Sequence, residues 1–336
     1  MERTVTQQLH FATWLRVAGM VSILLCHYVQ QSQNAILNMS AQFFNIGVEL
    51  FIILSGFLFG IRGEVTDTKA WYKKRLKRIF VPYEIFVALL FVIHAVCGLN
   101  LLDMDWVWLA LGLQGSVVGV LGAEQTWFIT PLLLCYAITP LLDRYITLQR
   151  TKMQISILVI AAVGTKLLWA IPESPVCGTL LSLVSVYVIA FVVGRFFDKL
   201  TFTKVKALVT FVVMCIAFGM RLAARHFFDG TVFYDRIACG YTQDLAAFCI
   251  FYLFAVLLQN IQPLKWVSFI GEISFEVYLV HYMFCVGPVK LFGLTPYWVL
   301  DCMLVTAMSM ASAVIIHKVS YFISKSWCCS KTEKGK

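Results

Sequence analysis

Two ionisable side chains stand eleven residues apart in an otherwise apolar stretch, RVAGMVSILLCH, which covers residues 16–27. At about 100° per residue, eleven steps place Arg16 and His27 on one face of a helix, about 16 Å apart along its axis. An imidazole takes up and releases a proton near neutral pH, so His27 can serve as a general base or as a nucleophile. The simpler alternatives are that Arg16 reaches out to an aqueous surface and that His27 is a packing residue.

A second group of candidate residues lies between residues 62 and 78, a segment that carries seven Lys and Arg side chains. Arg75 and Arg78 are three residues apart where a predicted helix begins, and Lys74 adds a third cation. Two guanidinium groups at this spacing form a fork that can hold phosphate oxygens. The alternative is that the whole segment anchors the chain against anionic lipids.

The composition indicates what kind of protein must position these residues. Of the 336 residues, 60% are hydrophobic and only 13% are charged, whereas a soluble domain carries about 25% charged residues. A membrane-spanning helix needs about 20 mainly apolar residues. We therefore predict an all-α, polytopic transmembrane bundle of about ten spanning helices, at 10–30, 43–61, 79–98, 126–143, 154–171, 178–194, 207–224, 242–259, 267–287 and 296–317.

The distribution of Lys and Arg predicts the orientation of this bundle. If the N-terminus is cytoplasmic, 21 of the 27 Lys and Arg residues fall in inside segments and four in outside segments. The positive-inside rule then places both termini in the cytoplasm. The apolar segment at 105–122 is short and interrupted by glycines, so we predict an interfacial or re-entrant piece on the outer side.

Charge and cysteine content argue against other kinds of site. The formal net charge of +9 follows from the cytoplasmic segments, so we expect no nucleic-acid partner. The eleven cysteines form no CxxC pair, and we expect neither a disulfide framework nor a metal site.

Several segments resemble a known family in their order and spacing. Besides the stretch from Arg16 to His27, they are IGVELFIILSGFLFG at 46–60, WYKKRLKRIFVPY at 71–83, TWFITPLLLCYAITPLL at 126–142, VYVIAFVVGRFFDK at 186–199 and GEISFEVYLVHYMF at 271–284. Over residues 10–285 the chain resembles the acyltransferase 3 family of membrane proteins. We therefore expect an integral membrane acyltransferase domain over residues 1–323, followed by a short basic cytoplasmic tail over 324–336.

The resemblance implies a reaction and its partners. Such proteins move an acyl group, commonly acetyl from cytoplasmic acetyl-CoA, onto a hydroxyl of an extracytoplasmic or lipid-linked glycan, here at a bacterial cytoplasmic membrane. Arg75, Arg78 and Lys74 would hold the nucleotide phosphates of acyl-CoA. The pantetheine arm would pass Arg16 and bring the thioester to His27, so these two residues are the expected catalytic pair. The expected partners are the lipid bilayer, acyl-CoA and the glycan; the oligomeric state stays open.

Aromatic and hydroxyl side chains suit the faces and edges of a sugar, and we expect Trp127, Tyr136, Ser274 and Tyr278 to line the acceptor site. His281 would orient the acceptor or a partner residue. Packing between helices is the alternative for all of them.

The chain departs from the family pattern at one position. Many relatives carry a carboxylate five residues after the tryptophan, where this chain has Leu132. Glu124, three residues before Trp127, is the candidate substitute.

Three other functions compete with acyl transfer. A transporter or flippase of a lipid-linked sugar would also carry charges within its spans, although the paired halves common in transporters are not visible here. A channel would repeat a polar pore face. A non-catalytic membrane partner would fit if Leu132 marks a lost activity.

Overall fold

The computed structural model describes residues 9–62, 65–113, 119–147, 151–167, 175–197 and 203–332. Every regular element in these residues is helical. The α-helices are α1 His10–Gln30, α2 Ala35–Phe44, α3 Gly47–Ile61, α4 Thr68–Val96, α5 Asp105–Ala110, α6 Ile129–Tyr145, α7 Lys152–Thr165, α8 Pro175–Arg195, α9 Lys204–Phe228, α10 Cys239–Leu258, α11 Lys265–Cys285 and α12 Trp298–Thr332. A 3₁₀ turn, Glu124–Phe128, precedes α6, and a π-helical turn, Phe233–Ala238, precedes α10.

The helices confirm the predicted all-helical membrane fold. Seven helical stretches of the described residues are long and apolar enough to cross a membrane: His10–Gln30, Ala35–Ile61, Thr68–Val96, Glu124–Tyr145, Lys204–Phe228, Phe233–Leu258 and Trp298–Lys325. The predicted spans at 178–194 and 267–287 also coincide closely with helices α8 and α11. The predicted span at 154–171 overlaps α7, which ends at Thr165, and its residues 168–171 lie outside the described residues. The count of ten spans and the cytoplasmic termini stay predictions.

Two stretches differ in detail from the sequence prediction. The second predicted span begins earlier than residue 43, at Ala35, and breaks between Phe44 and Gly47. The segment at 105–122 contains the six-residue helix α5, which at 1.5 Å per residue is only about 9 Å long and too short to cross a membrane. Residues 114–118 of that segment lie outside the described residues.

Helix α12 extends beyond its predicted span. It runs to Thr332, so the predicted domain boundary after residue 323 falls inside a helix. Residues 333–336 of the predicted tail lie outside the described residues.

Local signals explain where several helices begin. Asp67 accepts a hydrogen bond from the Ala70 N–H ahead of α4, and Thr203 does the same for Lys206 ahead of α9. Thr151 and Gln154 form a capping box at the start of α7. Each of these side chains satisfies an amide that has no partner within its helix.

The chain forms two compact units, made from the described residues of Met1–Ile23, Gln42–Thr66 and Pro131–Gly271 in the first unit and of Leu24–Ala41, Asp67–Thr130 and Glu272–Lys336 in the second.

In the first unit, α3 packs closely against α8. A Cβ atom on Gly56 would lie 2.6 Å from the Tyr187 carbonyl oxygen, so only glycine permits this approach. Small residues let membrane helices come together in this way, because van der Waals contact replaces the hydrophobic effect as the main attraction in lipid. Beside them, the rings of Phe11, Phe57 and Phe251 pack edge to face with centroids 4.8–5.7 Å apart.

In the second unit, α4 packs against α12 and α5. Lys77 Nζ donates a hydrogen bond to the Ser324 carbonyl oxygen at 2.7 Å, and the Tyr83 hydroxyl donates to the Leu109 carbonyl oxygen. These long-range bonds attach α4 to both neighbours. Helix α4 thereby holds its basic first turns in the same unit as the candidate site described next.

Candidate active site

The second unit brings His27 and His281 together, although they are 254 residues apart in the chain. His27 lies near the end of α1 and His281 near the end of α11. His27 Nδ1 is 2.8 Å from His281 Nε2, and the two rings meet edge to edge with centroids 5.0 Å apart and planes only 19° apart. His281 is fully buried, whereas His27 is only partly buried.

His281 is fixed by its own helix. Its Nδ1 lies 2.7 Å from the Tyr278 carbonyl oxygen, one turn earlier in α11. A ring held at both nitrogen atoms cannot rotate freely. His281 therefore presents a fixed partner to His27.

The 3₁₀ turn Glu124–Phe128 is fastened to α11 beside this pair. The Tyr278 hydroxyl donates to the Gln125 carbonyl oxygen, and Gln125 Nε2 donates to the Leu279 carbonyl oxygen at 2.6 Å. The ring of Phe128 packs edge to face on Tyr278 at 5.6 Å. Tyr278 was predicted to bind substrate, but its hydroxyl hydrogen is already used in the bond to Gln125.

Tyr282 lies next to the histidine pair, and Glu124 lies next to Tyr282. The ring of Tyr282 packs edge to face on His27, with centroids 4.9 Å apart. Glu124 Oε2 accepts a hydrogen bond from the Gly122 N–H at 2.8 Å, and its carboxylate is close enough to Tyr282 to interact with it electrostatically. Glu124, the predicted substitute for the missing carboxylate, therefore lies beside a residue that contacts His27.

The end of α1 is secured on its other side. The Trp298 indole N–H donates to the Tyr28 carbonyl oxygen at 3.1 Å. The Tyr28 hydroxyl is 3.1 Å from Thr306 Oγ1 on α12. These contacts hold the residue that follows His27, and with it the backbone that carries the imidazole.

The basic residues Lys74, Arg75 and Arg78 occupy the first turns of α4 in the same unit. Arg75 is partly buried and lies over the ring of Trp71, with the guanidinium carbon 5.8 Å from the ring centroid. Lys74 and Arg78 are exposed. Spacings of three and four residues put the three cations on one helix face, so they can meet an anionic ligand together.

The other predicted site residues are distributed over both units. Ser274 is buried in the second unit and Trp127 is partly buried there. Arg16 and Tyr136 belong to the first unit, where Tyr136 packs edge to face on Phe59 at 5.4 Å. Arg16 and His27 do lie on one uninterrupted helix, α1, as their spacing requires. Leu132 is buried in the first unit.

The first unit contains a buried set of polar residues that the sequence did not predict; we call Glu49, Lys166, Gln243 and Asp244 the charged cluster. Lys166 forms an ion pair with Asp244 and donates to the Gly240 carbonyl oxygen at 3.1 Å. Gln243 Nε2 donates to Glu49 Oε1 at 2.7 Å. Helices α3, α10 and the end of α7 thus meet through charged and polar groups.

Sequence reasoning also missed Tyr282 and Gln125 in the second unit. A signal for Tyr282 was present, because it directly follows His281 in the YLVHYMF segment. Gln125 acts through its backbone and amide, and a single glutamine beside a turn gave no such signal.

The arrangement in the second unit suits proton transfer. Two imidazoles in hydrogen-bond contact can take a proton from a hydroxyl and return it to a leaving group. A group of three or more His, Cys, Asp or Glu side chains that could hold a metal ion is not found within the described ranges.

Comparison with known proteins identifies one family. The model of an acyltransferase domain, of the acyltransferase 3 type, matches residues 9–318, nearly the whole chain. The match confirms the resemblance predicted from the sequence segments. No curated protein and no solved structure matches the chain.

Proposed function

The chain belongs to the acyltransferase 3 family, and from that premise we propose that this membrane acyltransferase moves an acetyl group from cytoplasmic acetyl-CoA to a hydroxyl of an extracytoplasmic or lipid-linked glycan. The observation that carries the proposal is the contact between His27 and His281, 2.8 Å apart within the second unit. Alcohols attack thioesters slowly unless a base removes their proton, and a positioned base contributes about 10²- to 10⁴-fold to the rate.

His27 is the base in this proposal. The acceptor oxygen attacks the thioester carbonyl carbon while its proton passes to His27. The C–S bond then breaks, and the imidazolium returns the proton to the sulfur of CoA. The products are an ester and a free thiol, and no proton is gained or lost.

The donor is held by the basic turns of α4. CoA carries several phosphate groups, and Arg75 and Arg78 together with the exposed Lys74 form a cationic face at the start of that helix. Guanidinium groups bind phosphate oxygens through paired, charge-assisted hydrogen bonds. The positive-inside distribution supports a cytoplasmic position for this face, on the side where acetyl-CoA is made.

The acceptor approaches from the opposite side. Tyr282 offers an aromatic ring against His27, Glu124 offers a carboxylate next to Tyr282, and Trp127 adds a second, partly buried ring in the same unit. A carboxylate accepts hydrogen bonds from sugar hydroxyls and an aromatic ring covers the apolar face of a sugar, so this set suits a glycan better than a small anion.

The experiment is an acetyl-transfer assay with the full chain in proteoliposomes. Acetyl-CoA with a labelled acetyl group is supplied on one side and a glycan fraction on the other. We expect free CoA and labelled glycan in equal amounts, and neither from His27→Ala. Mass spectrometry of surface polysaccharide from cells with and without the protein then identifies the hydroxyl that carries the acetyl group.

Two results would overturn the proposal. Movement of an unmodified lipid-linked sugar without release of CoA would indicate a transporter. A protein that becomes acetylated on His27 when no acceptor is present would show that the imidazole is a nucleophile and not a base.

A further inference from the structure

The hydrogen atoms of the histidine pair can be placed from their acceptors. A carbonyl oxygen only accepts hydrogen bonds, so His281 Nδ1, 2.7 Å from the Tyr278 carbonyl oxygen, must carry a hydrogen. One nitrogen of the His281 ring is thereby assigned as a donor.

His281 is neutral in this position. Its side chain is fully buried, and its hydrogen-bond partners among the described residues are backbone carbonyls and His27. Among the described residues, the titratable side chains in ring contact with the pair are the phenols of Tyr278 and Tyr282, which are uncharged. The Glu124 carboxylate lies beside Tyr282 and accepts from the Gly122 N–H, not from either imidazole. A buried imidazolium without a carboxylate would carry a large desolvation penalty. A neutral ring with a hydrogen on Nδ1 has a lone pair on Nε2.

The position of the hydrogen on His281 determines the position of the hydrogen on His27. His281 Nε2 accepts, so His27 Nδ1, 2.8 Å away, must donate. A neutral His27 then has its lone pair on Nε2, the nitrogen directed away from the pair. Because the Nδ1 hydrogen is used in the bond to His281, the lone pair on Nε2 is the one that can accept a proton.

We propose that His281 is a positioning residue, which fixes the tautomer of His27 so that Nε2 is the atom that takes the acceptor proton. When Nε2 is protonated, His27 becomes an imidazolium and its Nδ1–H continues to donate to His281. The same hydrogen bond serves the resting state and the charged state, and no proton moves between the two rings. The role of Nε2 rests on the proposed function, whereas the tautomer is a property of the resting protein.

The nearest chemical parallel indicates the size of the effect. In serine proteases a carboxylate holds the catalytic histidine in its reactive tautomer, and a substitution that selects the wrong tautomer lowers kcat about 10⁴-fold. A neutral imidazole is a weaker partner than a carboxylate. We therefore expect loss of the His281 acceptor to lower kcat by about 10²-fold or more, with the KM for acetyl-CoA unchanged.

The test compares three substitutions in the full chain. His281→Leu removes the acceptor, whereas His281→Gln retains a side-chain oxygen that can accept from His27. His317→Gln is the matched control, because His317 is a histidine of the same unit paired with Glu276 at 2.8 Å. Nitrogen NMR of ¹⁵N-histidine-labelled protein, with the His27 signals assigned by loss in His27→Asn, reports which ring nitrogen carries hydrogen.

We expect His27 to carry its hydrogen on Nδ1 in the unsubstituted protein, in His281→Gln and in His317→Gln, and to lose that preference in His281→Leu. The kcat should follow the same order. A hydrogen on His27 Nε2 in the unsubstituted protein would overturn the inference, and so would full activity of His281→Leu. If the unsubstituted protein transfers no acetyl groups but the tautomer is as expected, the proposed function fails and the tautomer assignment for His27 stands.

Discussion

The two units bury polar side chains in opposite ways. The second unit contains two neutral imidazoles, one buried and one partly buried, which hydrogen-bond to each other. The buried imidazole also donates to a backbone carbonyl. The first unit buries the charged cluster, in which Lys166 needs Asp244 and both residues are largely hidden from solvent. In the cluster, one oxygen of Glu49 and one of Asp244 have no hydrogen-bond partner among the described residues.

This difference indicates that the histidine pair can react, whereas the members of the charged cluster stabilise one another. A neutral imidazole can be buried at modest cost and still keep one lone pair available. An ionised group within a membrane is expensive unless an opposite charge stays beside it, so a buried ion pair has little freedom to exchange partners. We therefore expect substitutions in the histidine pair to change the rate and substitutions in the charged cluster to change stability.

The largest expected effect is that of His27→Ala. It removes the proposed base, so the rate of acetyl transfer should fall by about 10²- to 10⁴-fold, while the thermal unfolding midpoint changes little because the side chain is only partly buried. Rates and unfolding curves are measured on the same preparation, with His317→Gln as the control. A rate within threefold of the unsubstituted protein, about 0.7 kcal/mol, would remove His27 from the reaction.

The reverse pattern is expected for Lys166→Met. Removal of one member of a buried ion pair leaves the other charge uncompensated and costs about 3–5 kcal/mol of stability. The unfolding midpoint should drop, and the kcat per folded molecule should not. In the double variant Lys166→Met with Asp244→Leu, most of the stability should return, because two apolar side chains replace a pair that stabilises little. If Lys166→Met unfolded at the normal temperature but transferred acetyl groups slowly, the charged cluster would have a role in the reaction, which contradicts the expected difference between the units.

An intermediate effect is expected at the basic turns of α4. Arg75→Ala combined with Arg78→Ala removes the proposed charge-assisted contacts with the phosphates of CoA, worth about 1.5–3 kcal/mol each. The apparent KM for acetyl-CoA should rise tenfold or more, with kcat nearly unchanged. The control is Lys69→Ala combined with Lys73→Ala, which removes the same charge from the same segment. Equal effects of the two double variants would show that the segment anchors the chain to lipid and does not bind the donor.

The sequence predicted single residues better than the contacts between them. His27 was identified because a titratable side chain in an apolar stretch is unusual, the basic turns of α4 because seven cations lie between residues 62 and 78, and His281 because its segment resembles the family. The contact between His27 and His281 was not predicted, since it joins residues 254 apart and helix periodicity contains no information about which helix lies opposite. The same holds for Lys166 and its partner Asp244, which are 78 residues apart. Tyr282 was missed because an aromatic residue in a membrane helix is ordinarily a packing residue.

The smallest effect is expected for Glu49→Gln, and it tests whether the charged cluster is only structural. The amide keeps an oxygen that accepts from Gln243, as Glu49 Oε1 does at 2.7 Å, and it replaces the oxygen that has no partner among the described residues. The substitution removes the cost of a buried charge, and it also removes the attraction of Lys166 and Arg221 for that charge. These terms oppose each other, so stability should change by no more than about 1 kcal/mol, and acetyl transfer should be unaffected. A tenfold loss of rate at an unchanged unfolding midpoint would mean that the first unit also takes part in the reaction. The charged cluster would then not be purely structural.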